Sequence, residues 1–335
     1  MAKTWREWEK PLLELEEGIR RLRELQAKAP PDRASQLERE IQEFEKKRNA
    51  YLELKYSRIG PWERTLISRA ETRPYTLDYI RAIVTDWIEL HGDRRYGDDK
   101  ALIGGIGKIN GISFIIVGHQ KGRDLKERQY RNFGMAKPEG YRKAIRLFQM
   151  ADRFGFPVLS FIDTPAADPG VESESRGISQ AIAEGMFVMF GLRVPTIAVI
   201  IGEGGSGGAI GIGACNRVLM LENSIYSVIP PEGCAAILWR QPAASDRAAS
   251  ALKLTAQHAL ELGIIDEIIP EAFGGAHRGP NETAANIEKA VIKHLGELSS
   301  LSPEELVANR YEKYRKMGMF EELTLTSISP PESER

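Results

Sequence analysis

The residues with the clearest chemical potential are Gly202-Glu203-Gly204-Gly205-Ser206-Gly207-Gly208, which follow the apolar run 196–201 and precede a helical pattern. A strand that turns into a helix leaves the first helical N–H groups unpaired. Glycines let a ligand reach that backbone, and a helix start adds partial positive charge. Such a turn suits an anion, or an oxygen that becomes anionic during reaction. A tight strand-to-helix crossing also asks for small residues, but five glycines in seven exceed what packing usually requires.

The same stretch fits two other patterns. Gly202-x-Gly204-x-x-Gly207, with Glu222 twenty residues on, matches a dinucleotide fingerprint. That motif belongs in the first strand-helix unit, whereas here about 100 residues of α/β pattern precede it. Gly204-x-Ser206-x-Gly208, followed by Asp246 and His258, matches a serine-hydrolase elbow with its partners in the right chain order. Against it, an elbow wants one sharp turn rather than a glycine run, and His258 falls inside a short amphipathic helix pattern. No Gly-Lys-Ser or Gly-Lys-Thr follows, which excludes a P-loop. A basic stretch begins at Lys121 and Arg123 and continues to Arg146. It reads as a solvated face, or, at Lys121 and Arg123 beside a strand end, as contacts to phosphates or a carboxylate.

These residues need a scaffold. Positions 1–58 hold 26 charged residues and a stripe of Leu12, Leu15, Ile19, Leu22 and Leu25, broken by Pro30-Pro31 and resumed at Leu37, Ile41 and Phe44. That predicts an amphipathic helical hairpin. Thr76 is placed to cap a helix over 77–90. Strands are expected at 101–109 and 112–117 around the Asn110-Gly111 hairpin signal, then at 158–162, 196–201, 218–221, 225–229 and 264–269. Helices are expected at 138–154 and 178–191, and after Thr255. Strand pairs alternating with helices define an α/β core over 59–270. A linker with two helices covers 271–325, and a polar tail covers 326–335. The 335 residues are 42% hydrophobic and 28% charged, with 46 Lys+Arg against 47 Asp+Glu. That balance argues against a generally basic nucleic-acid binder. Cys215 and Cys234 are too few for a four-cysteine zinc site or a disulfide framework. No run reaches the ~20 apolar residues of a membrane span, and the first residues do not form a signal peptide. A cytoplasmic protein without membrane or nucleic-acid partners is the expectation.

Several longer segments occur together: His119-Gln120-Lys121-Gly122-Arg123, Asn132-Phe133-Gly134-Met135, Pro138-Glu139-Gly140-Tyr141, Ile162-Asp163-Thr164-Pro165, the glycine turn, Tyr226-Ser227-Val228, Pro231-Glu232-Gly233-Cys234 and Gly274-Gly275-Ala276-His277. In this order they closely resemble the alpha-subunit family of the bacterial-type acetyl-coenzyme A carboxylase carboxyltransferase. The resemblance implies a crotonase-like fold of repeated ββα units with an N-terminal helical hairpin. It implies an α2β2 complex with a beta subunit, working with a biotin carrier protein and biotin carboxylase. The expected activity moves a carboxyl group from carboxybiotin to acetyl-CoA, giving malonyl-CoA for fatty acid biosynthesis. Biotin would be attached to the carrier and not to this chain, and the zinc would belong to the beta subunit, leaving no metal here. Gly207 and Gly208 become the backbone oxyanion donors, and Gly204, Gly205, Ser206, Lys121 and Arg123 substrate-binding residues. The chain departs from the family pattern at Ala166 and Asp168, where glycine and tyrosine are usual, and at Pro230, where serine is usual. If the family glycine serves a positive φ, Ala166 is expected to be strained.

Overall fold

The computed structural model describes residues 4–318. The polar tail expected at 326–335, and the end of the segment 271–325, lie outside the described residues. Helices α1 (Trp5–Gln26) and α2 (Pro31–Tyr56) form the hairpin. Thr4 and Glu7 build a reciprocal cap on α1, and Pro31 sits in the first turn of α2, where its missing N–H costs nothing. Leu12, Ile19, Leu37 and Ile41 are buried along the hairpin. Glu9 ties it to the body: its buried carboxylate accepts from the Tyr56 hydroxyl and, at 2.7 Å, from Arg278.

After α3 (Pro61–Ser68), the helix expected over 77–90 is shorter, α4 (Thr76–Ile83). Residues 85–89 instead form an edge strand, β1 (Thr85–Glu89), antiparallel to β2 (Leu102–Ile109). Val84 is already extended, and Thr85 and Trp87 are residues that suit a strand. Gly105 and Gly107 make room for β1, since a Cβ at Gly105 would lie 2.1 Å from the Ile88 carbonyl oxygen. Thr76 is the first helical residue and not the cap. Its hydroxyl donates to the His119 carbonyl at 2.5 Å, while the Asp78 carboxylate accepts from the Tyr75 N–H at 2.8 Å.

Asn110 and Gly111 take the two left-handed φ values, 48° and 77°, of the expected hairpin turn into β3 (Ile112–His119). Then come α5 (Leu125–Tyr130), α6 (Pro138–Phe154), β4 (Val158–Thr164), α7 (Val171–Ser175), α8 (Ile178–Gly191), β5 (Thr196–Gly205) and α9 (Ser206–Ile210). Next are β6 (Arg217–Leu221), β7 (Ile225–Ser227), α10 (Pro231–Trp239), α11 (Ser245–Ala251), α12 (Ala256–Glu261), β8 (Glu267–Ile269), α13 (Pro280–Leu298) and α14 (Pro303–Arg315). Helices α10 and α11 have no counterpart in the sequence-based assignment.

The strands run in the order β1-β2-β3-β4-β5-β6-β8, with β7 on the C-terminal part of β5. From β3 onward every pairing is parallel. Both faces are buried, so consecutive residues of β4 and β5 are apolar and buried, Val158 and Leu159 in one and Ile197 to Ile201 in the other. Val117, Ala198 and Ile200 pack toward α6 and α8, with Phe148 and Met189. Their neighbours Ile116, Val199 and Ile201 pack toward α4 and α13, with Tyr79 and Ile287. This two-sided burial fixes the register and brings the C-terminal ends of β3, β4 and β5 together.

Candidate active site

Those three ends carry the site. Strand β5 is longer than expected and includes Gly202, Gly204 and Gly205, so the chain turns only at Ser206. Ser206 itself takes the left-handed conformation, with φ 47°. Gly207 and Gly208 lie in the first turn of α9. Among the described residues neither of their N–H groups has a hydrogen-bond partner. With only five residues, α9 contributes little macrodipole. The available donors are the N–H groups themselves.

Packing explains more of the glycines than the sequence suggested. A Cβ on Gly202 would meet the Asp163 carboxylate at 2.3 Å, one on Gly205 the Pro165 carbonyl oxygen at 2.0 Å, and one on Gly208 the Ala166 carbonyl carbon at 2.7 Å. The segment 163–167 therefore lies directly against the turn. At Gly207 the only neighbour would be the Ile182 Cδ1, at 3.3 Å. Gly207 lines a cavity of about 300 Å³ with Ser206, Ile210, Tyr226, Val228 and Ile264. Gly208 is buried behind it, its carbonyl accepting from the Tyr141 hydroxyl at 3.3 Å. The cavity wall is mostly apolar, and Ser227 completes it. Its one titratable group, the Tyr226 phenol, is pushed up to about 12 by burial. The wall thus offers the Gly207 N–H for a developing charge, with that of Gly208 behind it, and no acid or base for neutral pH.

The turn is held from behind by charge. Lys121 Nζ lies 2.7 Å from Asp163 and 2.8 Å from Glu203, and the Arg69 Nε donates to Glu203 at 2.7 Å. The Glu203 N–H donates to Asp163 Oδ1 at 2.9 Å. Burial disfavours the ionised Glu203, but Lys121 and Arg69 outweigh it and hold the carboxyl down at about 2. Burial likewise opposes the Lys121 ammonium, and its two carboxylates outweigh that and raise it above the usual lysine value. Lys121 is therefore an internal counterion, largely buried, and a phosphate contact would require it to leave both partners. Arg123 is half-exposed but also engaged. It donates to the Glu71 carbonyl at 3.0 Å, pairs with Asp78 and lies over the Tyr75 ring. Beneath the turn, fully buried His119 is pushed down to about 3 by burial and by Lys121. Sequence reasoning gave Arg69, Asp163, Glu203 and Glu232 no role. A charged residue inside a buried glycine run was the available signal, because a buried charge requires a partner.

The two competing patterns do not assemble. His258 Nδ1 pairs with the Thr255 hydroxyl at 2.9 Å, and Asp246 Oδ1 accepts from the Arg247 N–H, so neither engages Ser206. A five-residue α9 after a central strand is not the phosphate helix of a Rossmann unit. Glu222 hydrogen-bonds through its backbone, with Ile269 and Arg64, and its charge acts on Arg64.

The departures at 166–168 and 230 are accommodated. Ala166 is not among the residues with positive φ, so the expected strain is absent. Its carbonyl accepts from the Thr164 hydroxyl at 2.6 Å. The Asp168 carboxylate joins Asn132 Nδ2, at 3.1 Å, to the Ser173 hydroxyl, at 2.5 Å. Pro230 caps α10 in an extended conformation that suits proline, with φ −59°. Among the described residues no group of three or more His, Cys, Asp or Glu is placed to hold a metal ion. No helix there is long and apolar enough to cross a membrane.

The mostly parallel sheet, with unpaired glycine N–H groups at its strand ends beside an apolar cavity, is compatible with the crotonase-like carboxyltransferase class that the sequence resembles. The family model described as acetyl co-enzyme A carboxylase carboxyltransferase-like matches residues 5–318, and the chain belongs to that family. It is 51% identical over 307 residues to the acetyl-coenzyme A carboxylase carboxyl transferase subunit alpha of Fusobacterium nucleatum, covering 92% of this chain and 97% of the relative. The Thermus thermophilus subunit is 50% identical over 316 residues, covering 94% and 99%. Among solved structures, the fold is similar to transcarboxylase 12S, with TM-score 0.56 and 20% identity over 68% of this chain and 42% of that one. It is also similar to a chain of a Pseudomonas malonate decarboxylase hetero-tetramer, with TM-score 0.55 and 18% identity over 70% and 91%.

Proposed function

We propose that this chain is one half of a carboxyltransferase that, with a beta subunit in an α2β2 complex, carboxylates acetyl-CoA to malonyl-CoA in the cytoplasm for fatty acid biosynthesis. The core, 59–270, carries the chemistry, and the hairpin, 1–58, braces it. The carboxyl donor is biotin on a separate carrier protein, loaded by biotin carboxylase, and it supplies an activated carboxyl group. The cavity fits a compact ring system with a polar oxygen: apolar walls at one side, free N–H groups at the other. Gly207 and Gly208 donate to the oxygen that gains negative charge, a contribution of about 2.7–4 kcal/mol for such a donor. Ser206, Gly204 and Gly205 shape the approach, and Ile210, Tyr226 and Val228 exclude water. Lys121 keeps the turn in place from inside, and Arg123 remains the half-exposed cation for a phosphate or carboxylate at the subunit boundary.

The observation that carries this reading is the pair of unpartnered N–H groups beside a cavity that holds no base. Such a site can stabilise one oxyanion, and the second oxyanion of the reaction, an enolate, needs donors from elsewhere. Exposed apolar side chains, Val228 on the cavity wall and Ile237 on α10, at 74% and 71%, suit burial by a partner subunit. The test is co-purification with a candidate beta subunit followed by a malonyl-CoA assay with carboxylated biotin carrier. The complex should turn over, and the isolated chain should not. Malonyl-CoA formation by the isolated chain refutes the half-site.

A further inference from the structure

Two segments that frame the cavity are only lightly joined by the sheet. Strand β7 pairs with β5 through three residue pairs, Glu203 with Ile225, Gly204 with Tyr226 and Gly205 with Ser227. The chain then passes Val228, on the cavity wall, and enters α10 at Pro231. One side chain spans this boundary from outside. Arg69, at the end of α3, donates through Nε to Glu203 at 2.7 Å and through Nη1 to Glu232, in the first turn of α10, at 2.6 Å. Its planar fork fixes both contacts in one geometry.

The α10 arm of this fork is not needed to neutralise the turn. Asp163 and Glu203 are balanced by Lys121 and Arg69 without Glu232. Among the described residues the Glu232 carboxylate has no partner except Arg69. Glu232 is about one-third exposed, so water could serve it as well. What the contact adds is a second link, beyond the β5–β7 ladder, between Glu203 behind the glycine turn and α10, which follows directly on Val228 of the cavity wall.

We propose that Arg69 and Glu232 are positioning residues that set the width of the slot beside Gly207, and so the alignment of the carboxyl-bearing ring with the glycine N–H groups. This inference rests on the carboxyltransferase reading. Neither residue lines the slot; both act through the elements they join.

The test uses the α2β2 complex and Glu232→Ala, which unlinks α10 from Arg69 while leaving Glu203 paired with both Lys121 and Arg69. The expected result is at least a tenfold fall in kcat/KM for carboxylated biotin carrier, with KM for acetyl-CoA changed less than twofold and the elution and melting of the complex unchanged. Arg69→Met should lose at least as much. The double variant should be no worse than Arg69→Met alone, because the two residues act through one link. Additive losses, or a lower yield of complex with native kinetic constants, would overturn the proposal, since either would make the contact merely structural. Native kinetics in Glu232→Ala would overturn it too, with the function reading intact. A wild-type complex that makes no malonyl-CoA would refute the function reading itself.

Discussion

Gly207→Val separates chemistry from packing at the glycine turn. Of the glycines there, Gly207 is the one whose Cβ would meet neither backbone nor carboxylate nor ring: its close neighbour, Ile182 Cδ1 at 3.3 Å, is the far end of a side chain that can turn aside by a few tenths of an ångström. Its φ is not left-handed, so valine is allowed by the backbone. Gly207 lines the 300 Å³ cavity, so added valine branches there are expected to narrow the approach to its N–H. Losing one oxyanion donor costs about 2.7–4 kcal/mol, or 10²–10³ in rate. A loss of carboxyl transfer of at least about a hundredfold is therefore expected. Stability should change little, since α9 gains a residue of better helix propensity than glycine. A change of 1 kcal/mol would move Tm by about 2–4 °C. The comparison is Gly208→Ala, whose Cβ would lie 2.7 Å and 2.8 Å from the backbone of Ala166 and Ala167. Backbone cannot turn aside, so overpacking of about 1–3 kcal/mol is expected. Initial rates at saturating acetyl-CoA, gel filtration of the complex and thermal melts distinguish the two. Near-native rates in a normally assembled Gly207→Val complex would refute the oxyanion role, and with Gly207→Ala also near-native, the turn would be packing alone.

Ser206→Ala should keep most activity, because alanine preserves the backbone N–H groups, and a fluorophosphonate should leave the native chain unlabelled; labelling at Ser206 would restore the hydrolase reading. Stability should fall in acid through Glu203. Lys121 and Arg69 hold its folded pKa at about 2, below the usual carboxylate value, so its ionised form stabilises the fold at neutral pH, and that contribution fades as pH falls through the carboxylate range toward 2. Denaturant melts at pH 7 and pH 3 measure this, and Glu203→Gln should flatten the difference; an equal pH dependence in the variant would place the effect elsewhere.

What could be read from sequence divides along a physical line. Helix α6 was placed to the residue because Pro138 and Gly155, at φ 71°, mark its ends by local backbone chemistry. The Asn110-Gly111 turn was equally local. Strand β1 was missed because its formation depends on two glycines, Gly105 and Gly107, some twenty residues away, which clear space for its backbone. The site follows the same rule. The glycine turn was visible, and with it the unpaired N–H groups of Gly207 and Gly208, because such groups follow from a strand-to-helix turn alone. The reason most of its glycines are glycines was not, since that depends on the approach of 163–167, a segment from a different strand.

Charge was the least legible feature. Lys121 and Arg123 looked outward-facing because sequence displays a charge without its partner. In the fold Lys121 faces Asp163 and Glu203, brought there by the parallel register that aligns the ends of β4 and β5, with Gly204 opposite Thr164. Burying that lysine would be untenable alone, yet with two carboxylates its charge is retained. The cation that sequence assigned to a ligand thus supports the glycine turn from inside. Its loss would leave Asp163 and Glu203 with Arg69 alone, so activity would be lost through displacement of the glycine backbone even if no substrate atom ever touched the amine.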